Sequence, residues 1–223
     1  TRAKTSKKIK QNLRNILSEK NQVLLSLSTE YKNKYNIKKI KKKVFTRIIG
    51  MGGSILGSKA IYSFLNNTTN KKFSFIDNLD TNIKSDRQKY FNIIISKSGN
   101  TLETISNVNI LLKKKDKSIF ITENKKSQLF LLAEKLKSQV IHHNNFIGGR
   151  YSVLSEVGML PAQLMGFNPN KFRQLNNLIK NKKFLNSLIS NVNSIISLSK
   201  NKSNSIILNY DPKSEDFLEW YKQ

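Results

Sequence analysis

Six consecutive residues, Ser96-Lys97-Ser98-Gly99-Asn100-Thr101, place short hydroxyl side chains around a lysine and a glycine, directly after an apolar run and directly before a helical period. Thr104 adds another hydroxyl within the first turn of that helix. A monoester phosphate offers several acceptor oxygens. Short hydroxyl donors, together with the unsatisfied N–H groups of a helical first turn, form a site suited to such an anion. Gly99 permits the tight backbone that such a loop needs. The competing reading is a plain helix cap, with Ser98 or Asn100 as the capping side chain and Glu103 interacting with the helix dipole. One cap does not call for this many hydroxyls, and the phosphate reading is preferred.

Two further segments carry possible chemistry. Gly50-Met51-Gly52-Gly53-Ser54 also lies between an apolar run and a helical period, so its backbone can approach a ligand closely. It lacks the third glycine of a dinucleotide fingerprint and the Gly-Lys-Ser/Thr of a P-loop. On a parallel sheet this turn and the Ser96 loop belong side by side, at the carboxyl ends of neighbouring strands, where such sheets bind ligands. The third segment runs from Ile147 through Gly148-Gly149-Arg150-Tyr151-Ser152 to Pro161. Its paired glycines present an arginine, whose permanent charge suits stabilising an oxyanion rather than moving protons. Taken alone, Arg150 is equally compatible with a surface residue after a turn.

The elements that must position these loops follow from hydrophobic periodicity. Continuous apolar runs at Val44–Ile49, Phe73–Ile76, Asn92–Ile95, Ser118–Ile121 and Gln139–His142 suit strands buried on both faces. Helical periods over Ile55–Leu65, Leu102–Leu112 and Gln128–Leu136 alternate with them, which predicts an α/β fold with a parallel sheet flanked by helices. The crossover between the Phe73 and Asn92 runs lacks a clear helix. Leu13, Ile16, Leu17, Leu24 and Leu27 predict an amphipathic N-terminal helix. Phe172–Leu198 predicts two helices broken near Asn181-Lys182-Lys183. Ser205–Leu208 reads as a further strand, and Asp216–Gln223 as the start of a helix.

Composition narrows the function classes. Of the 223 residues, 38% are hydrophobic, enough for a core, and no apolar run approaches the length of a membrane span. The absence of cysteine excludes disulfides and thiolate metal sites and makes a reducing cytoplasm the default. The net charge is +26, but Lys is scattered through most loops and helix faces, and Arg, the usual reader of base edges, is sparse. The charge is therefore attributed to composition, with neither nucleic acid nor membrane expected as partner. A positive field would nonetheless attract phosphorylated metabolites.

Taken in order, GMGGSILG, SKSGNTLET and GGRYSVLSEVGMLP resemble three signature segments of the glucose-6-phosphate isomerase (phosphoglucose isomerase) family. SIILNYDPKSEDFLEWYKQ resembles the stretch that begins the second sugar-isomerase (SIS) domain of that family. The resemblance implies a three-layer SIS domain at 44–165, preceded by a helical segment at 1–43 and followed by connecting helices at 166–204. Residues 205–223 would begin a second SIS domain in an N-terminal fragment truncated at both ends.

By the same resemblance, Ser96, Ser98 and Thr101, with Lys97 beside them, hold the phosphate of the sugar. Gly53, Ser54 and Gly149 contact substrate, Arg150 stabilises the enediolate, and Glu103 orients a catalytic histidine. The implied chemistry interconverts glucose 6-phosphate and fructose 6-phosphate, a step of glycolysis and gluconeogenesis, by 1,2-proton transfer. No metal or cofactor is implied. The implied setting is a cytoplasmic homodimer with a sugar-phosphate substrate.

The proton-moving carboxylate and the ring-opening histidine would lie beyond Gln223, so the isolated chain is expected to lack turnover. His142 and His143 fall outside the family motifs and are expected to be structural or solvated. The alternatives are a sugar-phosphate-sensing SIS regulator, which would need a helix-turn-helix, and an isomerase for another sugar phosphate. The GGRYSVLS segment weighs against the latter.

Overall fold

A computed structural model of the protein describes residues 2–19, 21–37, 45–79, 88–113 and 116–223. Within them the predicted strands form β1 (Phe45–Gly50), β2 (Phe73–Ile76), β3 (Tyr90–Ile95), β4 (Lys117–Thr122) and β5 (Gln139–His142). All pair in parallel, in the order β2-β1-β3-β4-β5. Parallel strands need crossovers. Three are helices: α3 (Leu56–Leu65) after β1, α4 (Leu102–Leu111) after β3 and α5 (Gln128–Lys135) after β4. Most of the predicted non-helical crossover between β2 and β3, residues 80–87, lies outside the described residues, as does the lysine-rich stretch 38–44 that includes Val44.

The unbroken apolar runs have a structural reason. Alternate side chains enter cores on opposite faces. Ile93 and Ile95 of β3 join Ile48, Ile119, Ile121 and Ile141 on one face, packed against Val157 and Leu160 of α6 (Glu156–Met165). Ile94 joins Ile49 and Phe120 on the other face, packed against Val108 and Leu111 of α4 and Leu129 and Ala133 of α5. Ile93, Ile94 and Ile95 are all fully buried. One polar pair sits within this sheet: Arg47 Nε donates to Asn92 Oδ1 at 2.8 Å, and Arg47 Nη2 donates to the carbonyl of Leu111 at 2.9 Å.

The helical expectations hold from the middle of the chain to its last helix and need correction at the N-terminal end. The N-terminal period divides into α1 (Arg2–Ser18) and α2 (Gln22–Ser26) rather than running through. Asn21 explains the break, because its side-chain oxygen accepts from Leu24 N at 2.8 Å and starts α2 afresh. Asn21 marks one predictable boundary and Asn181 another. The Asn181 side chain accepts from Lys183 N and Phe184 N, separating α7 (Leu175–Lys180) from α8 (Lys182–Leu198). Residues 205–208 are not a strand. They carry no regular secondary structure and pair with no described strand, with Ile206 83% and Leu208 70% exposed. Strand propensity is satisfied only by a neighbouring ladder, and none of the described strands lies beside this segment.

The last helix, α9 (Glu215–Lys222), packs along α3. Ser63 Oγ donates to the Asp216 carboxylate, and Lys59 Nζ lies 2.7 Å from Asp77 and 3.4 Å from Asp216.

Candidate functional site

The strand order reverses between β1 and β3. The chain leaves β1 for β2 on one side, whereas β3 leads to β4 and β5 on the other. Gly50, the last residue of β1, pairs with Ile95, the last of β3, so the Gly50–Ser54 turn and the Ser96–Thr101 loop emerge side by side. A switch point of this kind opens a crevice at the carboxyl ends of the strands, the usual ligand position in such sheets.

The Ser96–Thr101 loop does not behave as a helix cap. Thr101 occupies the N-cap position of α4, yet no side chain caps that helix. The hydroxyls are arranged around the loop instead. Ser96 Oγ lies 2.8 Å from Thr101 Oγ1 and accepts from Gly99 N at 3.1 Å, while the exposed Ser98 accepts from Asn100 N through its Oγ. Thr104 Oγ1 is buried with no hydrogen-bond partner. The first turn of α4 therefore keeps its positive end open toward hydroxyl-bearing side chains, an arrangement that accepts an anion.

The loop is held from behind by α5. The Asn100 side-chain oxygen accepts from Gln128 N at 3.0 Å, and Leu129 N donates to Gly99 O at 3.0 Å. Gly99 has φ +67°, and a Cβ there would lie 2.1 Å from Ser127 Oγ, so both conformation and space demand glycine.

The arginine segment meets the glycine turn. A Cβ on Gly53 would lie 2.3 Å from Gly149 C and 2.6 Å from Arg150 N. Ser152 Oγ donates to Gly149 O at 2.6 Å, with Gly53 O at 3.4 Å. Arg150 is exposed and its side chain makes no hydrogen bond or ion pair among the described residues, and the same holds for the Glu103 side chain in the first turn of α4. Lys97 is placed differently from its neighbours. Its ammonium donates to Asn145 O at 2.8 Å and Ile147 O at 3.1 Å, and lies 3.7 Å from Glu123. Glu123 is held below the usual carboxylate range chiefly by its hydrogen bond from Lys125, and also by the nearby charge of Lys97.

Sequence and structure comparisons bear on the family and the fold. The phosphoglucose isomerase family model matches residues 1–207. The chain belongs to the phosphoglucose isomerase family. A glucose-6-phosphate isomerase of Methanocaldococcus jannaschii is 34% identical over 195 residues, covering 79% of this chain and 48% of that protein. One from Acholeplasma laidlawii is 32% identical over 208 residues, with the same coverages of 79% and 48%. The chain thus spans about half the length of these relatives. Among solved structures, a hypothetical protein of Thermus thermophilus superposes with TM-score 0.64 at 23% identity, over 79% of this chain and 47% of that one. That similarity supports the fold, a parallel sheet between helical layers.

Within this phosphoglucose isomerase domain, the histidines are structural in position. The His142 ring nitrogen Nδ1 accepts from Asn124 N, and His143 is fully buried with Nδ1 on Asn144 O and Nε2 unpartnered. Burial pushes the His143 pKa down to about 4, so the ring is neutral near pH 7 and is not a cation for phosphate.

Sequence reasoning passed over a second set of residues behind Arg150. Glu156, 1% exposed at the start of α6, accepts from Tyr31 Oη at 2.8 and 3.1 Å. Arg173, also buried, donates to Tyr31 O, Asn33 Oδ1 and Leu154 O. The one signal available was a lone glutamate inside the apolar run of 153–162.

An apolar groove of 540 Å³ is lined by Ile61, Phe64, Val153 and Trp220 among others, with Arg150 and Tyr151 also in its lining. It lacks the ring of donors that a sugar phosphate requires. Among the described residues, no group of His, Asp and Glu is arranged to hold a metal ion, and no helix is long and apolar enough to cross a membrane.

Proposed function

We propose that this chain supplies the phosphate-holding half of a site that interconverts glucose 6-phosphate and fructose 6-phosphate. The observation that carries the reading is the α4 N-terminus, left without a side-chain cap and ringed by Ser96, Ser98 and Thr101, at the switch point beside the Gly53–Gly149 contact. Ser96, Ser98 and Thr101, with the main-chain N–H groups of the first turn, hold the phosphate. Gly53, Ser54 and Gly149 border the sugar. Arg150, permanently charged and without a hydrogen-bond or ion-pair partner among the described residues, offsets the negative charge that develops on the enediolate oxygen during 1,2-proton transfer.

The proton itself requires a carboxylate base. The side-chain amide of Gln223 lies over Gly52, within 2.6 Å of where a Cβ would stand there. α9 thereby brings its end to the site, which supports a base supplied by residues beyond Gln223. Glu103, exposed at the mouth of α4, is available to orient a catalytic histidine. The regulator reading would be tested by salt-dependent DNA binding of the purified chain.

The test is titration of the purified chain with glucose 6-phosphate and with inorganic phosphate. The paired substitution Ser98→Ala with Thr101→Ala is expected to weaken both by about tenfold or more, the scale of hydrogen bonds to a charged group. Unchanged affinity in the double variant would remove the phosphate assignment.

A further inference from the structure

We propose that the Lys97 side chain is a positioning group, a clamp on the main chain that leads into Arg150, rather than a ligand of the phosphate. The inference builds on the reading of Ser96–Thr101 as the phosphate loop. An ammonium has three hydrogens. Lys97 donates two of them, to Asn145 O at 2.8 Å and Ile147 O at 3.1 Å, and its ammonium lies 3.7 Å from Glu123 Oε1 in an ion pair, with no hydrogen bond to the loop's hydroxyls among the described residues. Glu123 is itself tied back to the loop, since its N–H donates to Lys97 O at 3.1 Å, as does Thr122 Oγ1 at 3.3 Å.

The clamp acts just upstream of the arginine. Ile147 is fully buried and is an anchored point of the chain. The next two residues, Gly148 and Gly149, have no side chains to hold their path, and Arg150 is exposed without a hydrogen-bond or ion-pair partner among the described residues. The arginine is therefore placed by main-chain contacts alone. Lys97 holds the segment from the β3 side, Gly53 abuts Gly149 in the middle, and Arg173 holds Leu154 O beyond it. Because the main chain of Lys97 belongs to the phosphate loop, its side chain ties that loop to the arginine loop. The clamp sets the separation between the group that holds the phosphate and the group that faces the reacting carbons.

Hydrogen–deuterium exchange on the 223-residue chain and on Lys97→Met and Lys97→Arg tests this. Amides of Ile147, Tyr151 and Ser152, bonded to the carbonyls of Asn144, Gly148 and Gly149, are the reporters, and those of Ile93–Ile95 in the central ladder are the reference. In Lys97→Met the reporters are expected to exchange about tenfold faster while the reference is unchanged, as for loss of charge-assisted hydrogen bonds in a local opening unit. Lys97→Arg, which keeps the charge and the donors, is expected to restore slow exchange. Inorganic phosphate should bind Lys97→Met within about threefold of the parent chain, the scale of one solvent-screened charge.

Unchanged reporters in Lys97→Met overturn the clamp. So does faster exchange in the reference strand, which would make Lys97 a general stabiliser, or loss of phosphate binding while the reporters stay protected. If the parent chain binds no inorganic phosphate, the phosphate-site reading falls, while the exchange comparison still decides the clamp.

Discussion

At Gly53 it is backbone, not a yielding side chain, that forbids substitution. Its would-be Cβ meets the carbonyl carbon and oxygen of Gly149 at 2.3 and 2.4 Å and the nitrogen of Arg150 at 2.6 Å. A methyl group there can be housed only by parting the two loops. Gly53→Ala is accordingly expected to cost about 1–3 kcal/mol of stability, the usual range for overpacking, read by urea denaturation. Because the displaced atoms include the amide of Arg150 and not the Ser96 loop, the same variant should weaken glucose 6-phosphate more than inorganic phosphate in side-by-side titrations. Equal weakening of the two ligands would place Gly53 in the phosphate site rather than beside the sugar.

Among elements, α6 carries the most consequential arrangement. Its first turn contains a carboxylate that is almost wholly buried, and a buried charge is tolerated only when partnered. Glu156 obtains its partner from Tyr31, far away in sequence, and gains further from the positive end of its own helix. Burial, followed by the adjacent Glu156 charge, raises the Tyr31 pKa, keeping the phenol protonated as a donor at neutral pH. Arg173 stacks over the Tyr31 ring at 5.0 Å and closes the group. Removing one hydroxyl with Tyr31→Phe is expected to lower stability by about 1.5–3 kcal/mol, since it takes a hydrogen bond from a buried charged group. Thermal denaturation measures it. A shift no larger than that of an exposed Tyr→Phe control would show the carboxylate to be satisfied elsewhere.

For the molecule as a whole, the doubly packed sheet makes stability depend on pH through His143. Its pKa is near 4 in the fold against an ordinary value of 6.5, chiefly because burial disfavours the imidazolium. The charge of Lys97 acts in the same sense and that of Glu123 opposes it. The unfolded chain therefore binds the proton more readily, so the contribution is fully present above pH 6.5 and is lost as pH falls toward 4. Between pH 7.5 and 5 the loss is about 2 kcal/mol. Urea denaturation at the two pH values should show it, and His143→Gln should flatten the difference. An equally steep pH dependence in that variant would assign it to other groups. Glu123, whose pKa is depressed, contributes in a more acidic window, below the ordinary carboxylate value.

Much of this protein was determined by local pattern. Runs such as Ile93–Ile95, apolar at consecutive positions, can be buried only between two layers, so the parallel sheet followed from the residues themselves. The hydroxyl-rich loop and the glycine turn were readable because loop chemistry depends on residue type and short spacing. Other features were invisible in the sequence because they join residues distant along the chain. Nothing local indicates that Lys97 reaches Asn145 and Ile147, that Tyr31 partners Glu156, or that Arg47 is satisfied by Asn92 inside the sheet. Segment 205–208 failed in the opposite direction, since its apolar residues advertised a strand whose pairing depends on neighbours rather than on itself. Residue type and spacing determined which groups can hold a phosphate. Only the tertiary structure, through contacts between segments far apart in sequence, decided which side chains face that phosphate and which hold the loops in place.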